Sequence, residues 1–362
     1  MPLSRRAVLG WGLAMVCLGN RWAFARVPPT DGPLSDAEVG HLLRQHNVPG
    51  AGLAILDAGK IAAAYSYGIA HETTSVSETT RFQAASISKT LNALVVLTLA
   101  RDGLIGLDDP VNKNLKTFKL DGPNAERVTP RMLLSHTGGT SVRGFAGYEP
   151  GQPLPSLHQI LSGQAPANSG AIKVVGELGR YAYSGGGVTV LQQLVIDVTG
   201  LPYANVASHR VLSPLGMVNS GVEQPPPTAQ ANDYAHAHDI AGLPTPGDYN
   251  IYPELAAAGL WTTPSDLCRM MHAMAVSVSG GRGALLPLPI AQQMVTPAAG
   301  NAALGVFASE GGMISHGGRN RGFSALYRLS TSAGRGVAVM VNRHMADPIL
   351  AELVERAFGH RT

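Results

Sequence analysis

Phe82-Gln83-Ala84-Ala85-Ser86-Ile87-Ser88-Lys89-Thr90-Leu91 leads into Asn92, Ala93, Leu94, Val95, Val96, Leu97, Thr98, Leu99 and Ala100, and the apolar run ends at Gly103. An apolar stretch of this length, with a serine at its start and a glycine at its stop, predicts a buried helix. Ser86 then sits at the helix N-terminus and Lys89 one turn further on. Residues three apart share a helix face, so the lysine can reach the serine hydroxyl. That pairing has chemical content, because a serine hydroxyl is a poor nucleophile until a neighbouring base takes its proton. The free N–H groups and positive dipole end of a helix start would also stabilise an oxyanion. An N-cap serine followed by a solvated first-turn lysine gives the same four letters, so the assignment depends on the rest of the chain.

Upstream, Met1-Pro2-Leu3-Ser4-Arg5-Arg6 precedes an apolar stretch over residues 7–18, and Ala23-Phe24-Ala25 offers a small-x-small cleavage site. Residues 1–25 therefore read as a secretory signal, and the adjacent arginines resemble a twin-arginine export signal. A lipoprotein reading through Cys17 is weaker, because Val16 stands where a small residue is wanted. The expected product is periplasmic or secreted, with no membrane span after signal removal. Arg5, Arg6 and Arg21 account for the formal charge of +3, so residues 26–362 are close to neutral. With no basic cluster, nucleic acid is not an expected partner. Cys268 is the only cysteine beyond the signal, which leaves no intramolecular disulfide and no Cys-based zinc site.

Downstream of the signal, residues 51–56 and 61–67 flank Asp57-Ala58-Gly59-Lys60 and predict a β-hairpin. Residues 104–300 read as mostly helical with long connections. Thr129 and Pro130 open a helix that is expected to stop at Gly138-Gly139, residues 187–199 form another, and Thr263-Pro264-Ser265-Asp266 starts a third. The stretch 138–179 turns to Gly, Pro, Ser and Ala, and so long a connection suggests a lid or binding-site wall. His236-Ala237-His238-Asp239 invites a metal reading, but nothing nearby completes a ligand set, and no metal is expected. Arg180-Tyr181-Ala182-Tyr183-Ser184-Gly185-Gly186-Gly187 predicts a tight turn before a helix, from which Tyr183 could present its phenol to a cleft. After residue 300 four strands are expected, at 303–308, 312–316, 322–330 and 336–342, with a closing helix over 348–358. Between the second and third lies His316-Gly317-Gly318-Arg319-Asn320-Arg321-Gly322-Phe323, where two glycines let another backbone, or a substrate's, lie alongside.

Ser86-x-x-Lys89, Tyr183-Ser184-Gly185 and His316-Gly317-Gly318, in that order and spacing, resemble the serine β-lactamase and penicillin-binding-protein superfamily. The match is best to its class C β-lactamase-like branch, which includes D-peptidases and esterases. Leu133-Leu134-Ser135-His136-Thr137-Gly138-Gly139, Pro214-Leu215-Gly216-Met217 and the stretch from Ala258 to Leu267 support it. The resemblance runs from about residue 35 to the end. It implies an α/β (α+β) fold, a mainly antiparallel sheet flanked by helices with an inserted all-helical lobe. The sheet lobe would comprise about 35–85 plus 300–362, the helical lobe about 86–299, and the cleft would lie at their junction. Carried over to this chain, Ser86 is the nucleophile and Lys89 its proton partner. Tyr183 works with Lys89 as a coupled pair, and His316 begins the third motif. Gly185, Gly317, Gly318 and Arg319 line the substrate site, with the N–H groups of Ser86 and Arg319 as the oxyanion hole.

One position departs from the pattern. The second motif is usually Tyr-x-Asn, whose Asn contacts both the lysine and the substrate's amide, and Gly185 stands in the Asn place. The glycine is expected to open room beside Lys89 and to favour short-chain aryl esters over penicillins and cephalosporins. The expected activity is that of an exported serine hydrolase working through an acyl-enzyme, without metal or organic cofactor. Its substrate would be a β-lactam, a D-peptide (peptidoglycan-derived) or a small ester. The alternatives are a non-turnover penicillin- or peptidoglycan-binding module, or an acyltransferase of the same fold. The oligomeric state stays open.

Overall fold

The sheet is built outward from a strand that is buried on both faces. Gly50–Asp57 (β1) carries Leu53 and Ile55 toward one face and Ala54 and Leu56 toward the other, and all four are buried. An interior strand of this kind needs a partner on each edge and a cover on each side. In the computed structural model, which describes residues 34–227 and 233–359, both are supplied. The export segment expected at residues 1–25 lies outside the described residues.

Lys60–His71 (β2) pairs antiparallel with β1 as the expected hairpin, and Thr74–Ser75 (β3) extends it. Phe82–Gln83 (β4) pairs with Trp261–Thr262 (β5) in a separate two-stranded ladder. Phe307–Ser309 (β6), Met313–Asn320 (β7), Phe323–Ser330 (β8) and Arg335–Val341 (β9) complete the large sheet, in the order β3-β2-β1-β9-β8-β7-β6. β9 closes on β1 with Ala51 opposite Val341 and Leu56 opposite Gly336. Every pairing in this sheet is antiparallel.

The alternation of β9 divides the core in two. Val337, Val339 and Val341 join Leu53 and Ile55 under the helices Asp36–Gln45 and Asp347–Gly359, which bring Leu42, Leu43, Ile349 and Leu353. Ala338 and Met340 face the other way, into the cluster with Leu267, Met270 and Met271 of the helix Pro264–Val278. Gly52 is needed there, because a Cβ would lie 2.9 Å from Pro264 Cγ. The helix Ser88–Arg101 runs through the larger cluster with every residue from Ser88 to Leu99 buried. A helix buried all round cannot be amphipathic, and each aliphatic side chain so covered contributes about 1.5–3 kcal/mol.

Four local expectations are corrected. The strand expected at 303–308 is confined to β6, because Gly305 turns the chain at φ +74° where a Cβ would strike Ala93 and the Lys89 carbonyl. The strand expected to stop at His316 continues as β7 to Asn320, with Gly317 opposite Leu326 and Gly318 opposite Ala325. The helix begun by Thr129 ends at Leu134, four residues before the first of the glycines, because His136 itself takes the left-handed turn at φ +58°. Ser86 lies not in the first turn of the long helix but in a separate 3₁₀ turn, Ala85–Ile87, ahead of it.

Candidate active site

The 3₁₀ turn presents Ser86. Ala85, though not a glycine, is held at φ +50°, a conformation that persists only where the surroundings over-determine it. Here Ser88 supplies part of that constraint. Its Oγ donates to the Ala85 carbonyl at 2.6 Å and accepts from Leu260 N–H at 2.9 Å. Ser88 is therefore occupied in holding the turn, while Ser86 makes no capping bond and lines a cleft of about 500 Å³.

Lys89 comes one turn later and is buried. Its Nζ donates to Ser86 Oγ at 3.0 Å and to the Ala257 carbonyl at 2.7 Å. The second bond, from the short helix Leu255–Ala258, fixes the direction of the side chain. Glu254 precedes that helix with its carboxyl buried and without a hydrogen-bond partner among the described residues. Burial pushes it up to about 7.

Tyr183 enters from the opposite wall, with its ring centroid 5.2 Å from Lys89 Nζ. Ser184 caps the helix Gly185–Thr199, its Oγ accepting from Gly187 N–H at 3.0 Å. The turn is clamped by His136, whose carbonyl accepts from Ala182 N–H at 2.8 Å and whose Nδ1 accepts from Ser184 N–H at 3.3 Å. The two residues flanking Tyr183 are thus tied to one histidine, and the imidazole packs on the phenol ring at 4.3 Å. Burial, then the charge of Lys89, holds His136 down at about 3, so the ring is neutral and its Nδ1 is free to accept.

β7 forms the third wall. β6 covers only Met313 to Ser315, so the edge of β7 from His316 onward faces the cleft. His316 is buried, and its Nδ1–H donates to the Gly317 carbonyl at 2.7 Å. Burial, with Lys89 adding to it, keeps this imidazole neutral down to about 4. Gly318 is where the strand touches the serine turn: a Cβ there would sit 2.4 Å from the Ala84 carbonyl and 2.8 Å from Ser86 N. Arg319 follows, paired with Asp347 at 3.3 Å. Asn320 donates to Gln83 Oε1 at 2.7 Å and pins the strand to β4.

The structure brings Ser86, Lys89, Tyr183, His316, Gly317, Gly318 and Arg319 to one cleft. Gly185 lies behind it, and the room expected there is taken: a Cβ at Gly185 would lie 3.1 Å from Phe145 Cε2 and 3.3 Å from the Arg143 carbonyl. No metal-binding group of three or more His, Cys, Asp or Glu occurs among the described residues. His236 instead stacks on His71 at 4.7 Å, and His238 Nδ1 bonds the Asn342 carbonyl. Sequence reasoning did not single out His136, Arg143, Phe145 or Ala257 as site residues. His136 carried a signal in the supporting Leu-Leu-Ser-His-Thr-Gly-Gly run, and Arg143 and Phe145 fall within the connection 138–179, whose length and composition suggest a binding-site wall without naming either residue. Ala257 carried none.

The chain belongs to the beta-lactamase family, whose pattern matches residues 36–359. It is similar to Protein flp of Staphylococcus aureus, 26% identical over 242 residues, 64% of this chain. The match covers 44% of that protein, so the chain spans less than half the length of this relative. Among solved structures, the octameric penicillin-binding protein homologue from Pyrococcus abyssi superposes with a TM-score of 0.74 at 22% identity, covering 90% of this chain and 77% of that one. The D-alanine carboxypeptidase AmpC from Burkholderia cenocepacia gives 0.70 at 18%, covering 89% and 97%. At such identities these two structures speak to the fold, the large antiparallel sheet flanked by helices.

Proposed function

We propose that the protein is a serine hydrolase that works through an acyl-enzyme on Ser86. The observation that carries the reading is the Lys89 Nζ–Ser86 Oγ contact of 3.0 Å in a cleft where the lysine's direction is fixed by Ala257. In this reading the coupled Lys89–Tyr183 pair takes the Ser86 proton as Oγ attacks the substrate carbonyl. The N–H groups of Ser86 and Arg319 hold the tetrahedral oxyanion. Collapse expels the leaving group, which receives the proton through Tyr183, and water then releases the acid and restores Ser86. His316, neutral and bonded to Gly317, shapes the wall behind the leaving group without adding charge.

Small esters are the favoured substrates over acylamino β-lactams. Gly185 offers no amide to a substrate's acylamino group, and a side chain there would begin 3.1 Å from Phe145 Cε2. An unmet neutral hydrogen bond of this kind costs about 0.5–1.5 kcal/mol, and a simple ester has no such group to satisfy. Export through residues 1–25 is part of the same proposal. N-terminal sequencing of the protein from its native host should find a start near Arg26.

The deciding experiment is covalent labelling by a fluorophosphonate, combined with steady-state turnover of an aryl ester and a chromogenic cephalosporin. Label on Ser86, loss of label in Ser86→Ala, a fall in turnover of at least roughly 10³-fold and faster ester than cephalosporin turnover are expected. Label on Ser88 or Ser184, or activity surviving in Ser86→Ala, would overturn the assignment.

A further inference from the structure

The three glycines after Tyr183-Ser184 have a common structural cause, and it lies in residues 140–145. This segment runs directly beneath the start of the helix Gly185–Thr199. Gly185 N–H donates to the Arg143 carbonyl at 3.1 Å, Gly186 N–H to the Val142 carbonyl at 2.9 Å, and Ser184 Oγ to the Ser141 carbonyl at 2.7 Å. A Cβ on Gly186 would meet the Ser141 carbonyl at 2.5 Å, and one on Gly187 would meet Thr140 Oγ1 at 2.6 Å. The segment is itself strained, since Val142, a β-branched residue, is held at φ +60°. That turn sends the next residues, Arg143, Gly144 and Phe145, into the cleft wall.

The charge of the cleft is uneven. Asp347 is the only carboxylate lining it among the described residues, and it is paired with Arg319 on the β7 side. Arg143, on the Gly185 side, is exposed and makes no ion pair or side-chain hydrogen bond among the described residues. His136 and His316, both held down by burial and by the charge of Lys89, are neutral. An unpaired guanidinium therefore lines the same cleft as Ser86, together with the rings of Phe145, Tyr181 and Phe307, the last two edge to face with centroids 6.5 Å apart. Guanidinium groups bind carboxylates in a planar, two-bond geometry, and a cleft of one sign concentrates substrates of the other.

We infer that Arg143 and Phe145 form the acyl-side subsite, and that the acyl chain this protein accepts is apolar along its length and ends in a carboxylate. This rests on the acyl-enzyme reading for its catalytic test, but not for its binding test. The catalytic test compares two 4-nitrophenyl esters of equal chain length, the hexanoate and the monoester of adipic acid. The wild type should prefer the adipate monoester by about tenfold or more in kcat/KM. Arg143→Gln should bring that ratio close to one, Arg143→Lys should keep part of it, and raising the salt concentration should erode it.

The binding test titrates Ser86→Ala protein with the same esters, where no turnover intervenes. The adipate monoester should bind about tenfold more tightly than the hexanoate, and adding Arg143→Gln should abolish the difference. Equal binding of the two esters to Ser86→Ala overturns the subsite even if Ser86 labelling succeeds. An anionic preference that survives Arg143→Gln and disappears in Arg319→Gln overturns it too, by moving the recognition to the other wall. Arg143-dependent binding without Ser86 labelling would sustain the subsite and sink the acyl-enzyme reading instead.

Discussion

The two walls of the cleft are held by different means. The β7 wall is a ladder strand, bonded along its whole length to β8 and anchored by Asn320 to Gln83. The Tyr183 wall is irregular chain, held by a capping serine, by His136 and by the carbonyls of residues 141–143. On the ladder wall the backbone does the work, and side chains are removed where the serine turn comes close, as at Gly318. On the irregular wall individual side chains fix the geometry, so single substitutions can change it. In the proposed reaction the first design would suit a fixed oxyanion site and strand edge, the second a substrate-specific surface.

The largest effect should come where the walls meet. Lys89→Ala and Tyr183→Phe should each slow Ser86 acylation by at least about 10²-fold, and the double variant should lose far less than the product of the two. Stopped-flow labelling gives both numbers. Losses that multiply would mean that the two walls act independently and that Tyr183 is a packing residue.

Next comes the ladder wall. Gly318→Ala drives a methyl group to within 2.4 Å of the Ala84 carbonyl. A displacement of the serine turn by about 1 Å can cost about 10²-fold. Gly317→Ala should cost much less, because its Cβ would have no neighbour nearer than 3.6 Å. Equal losses in the two variants would show that the strand edge, rather than the contact with Ser86, is what the glycines protect.

His136 tests the irregular wall. His136→Ala removes both the ring acceptor and the stacking on Tyr183, and should lower kcat about tenfold by freeing the phenol. His136→Asn keeps an acceptor and tolerates the left-handed turn, so it should recover part of kcat with little change in KM. If Asn is no better than Ala, the bond to Ser184 N–H does not position Tyr183.

At neutral pH the remaining effect is on stability, and it grows only as the pH falls. Because His136 is held at about 3 in the folded protein and titrates near 6.5 when unfolded, only the unfolded chain takes up its proton between these values. Its contribution to stability is complete above pH 6.5 and is lost as the pH falls toward 3. Urea unfolding of wild type minus His136→Asn should therefore show a pH-dependent difference, with a slope of up to about 1.4 kcal/mol per pH unit below 6.5. A flat difference would place a protonated imidazole against Tyr183.

The superfamily was legible in the sequence because its three motifs consist of short runs whose residue types are chemically restricted. Thr129, Thr263 and the hairpin at 57–60 were legible because caps and turns are local. What stayed hidden was set by packing between distant segments. Nothing in Val142-Arg143-Gly144-Phe145 announces that it fills the place beside Gly185, and a glycine alone reads as open space. Likewise the strand ending at His316 is read four residues short, because the ladder with β8 that carries it through Gly317 and Gly318 to Asn320 is not visible in the local sequence.

The position of β1 has a consequence for how the chain is made. Its outer neighbour β2 follows at once, but its inner neighbour is β9, with Ala51 against Val341. During synthesis the hairpin must therefore wait, with one edge bare and carrying Leu53 and Ile55, until residues 335–341 emerge. Bare apolar edges of this kind are templates for mispairing. A nascent chain stalled short of β9 should depend on a holding chaperone, and release from that dependence should coincide with the arrival of residues 335–341.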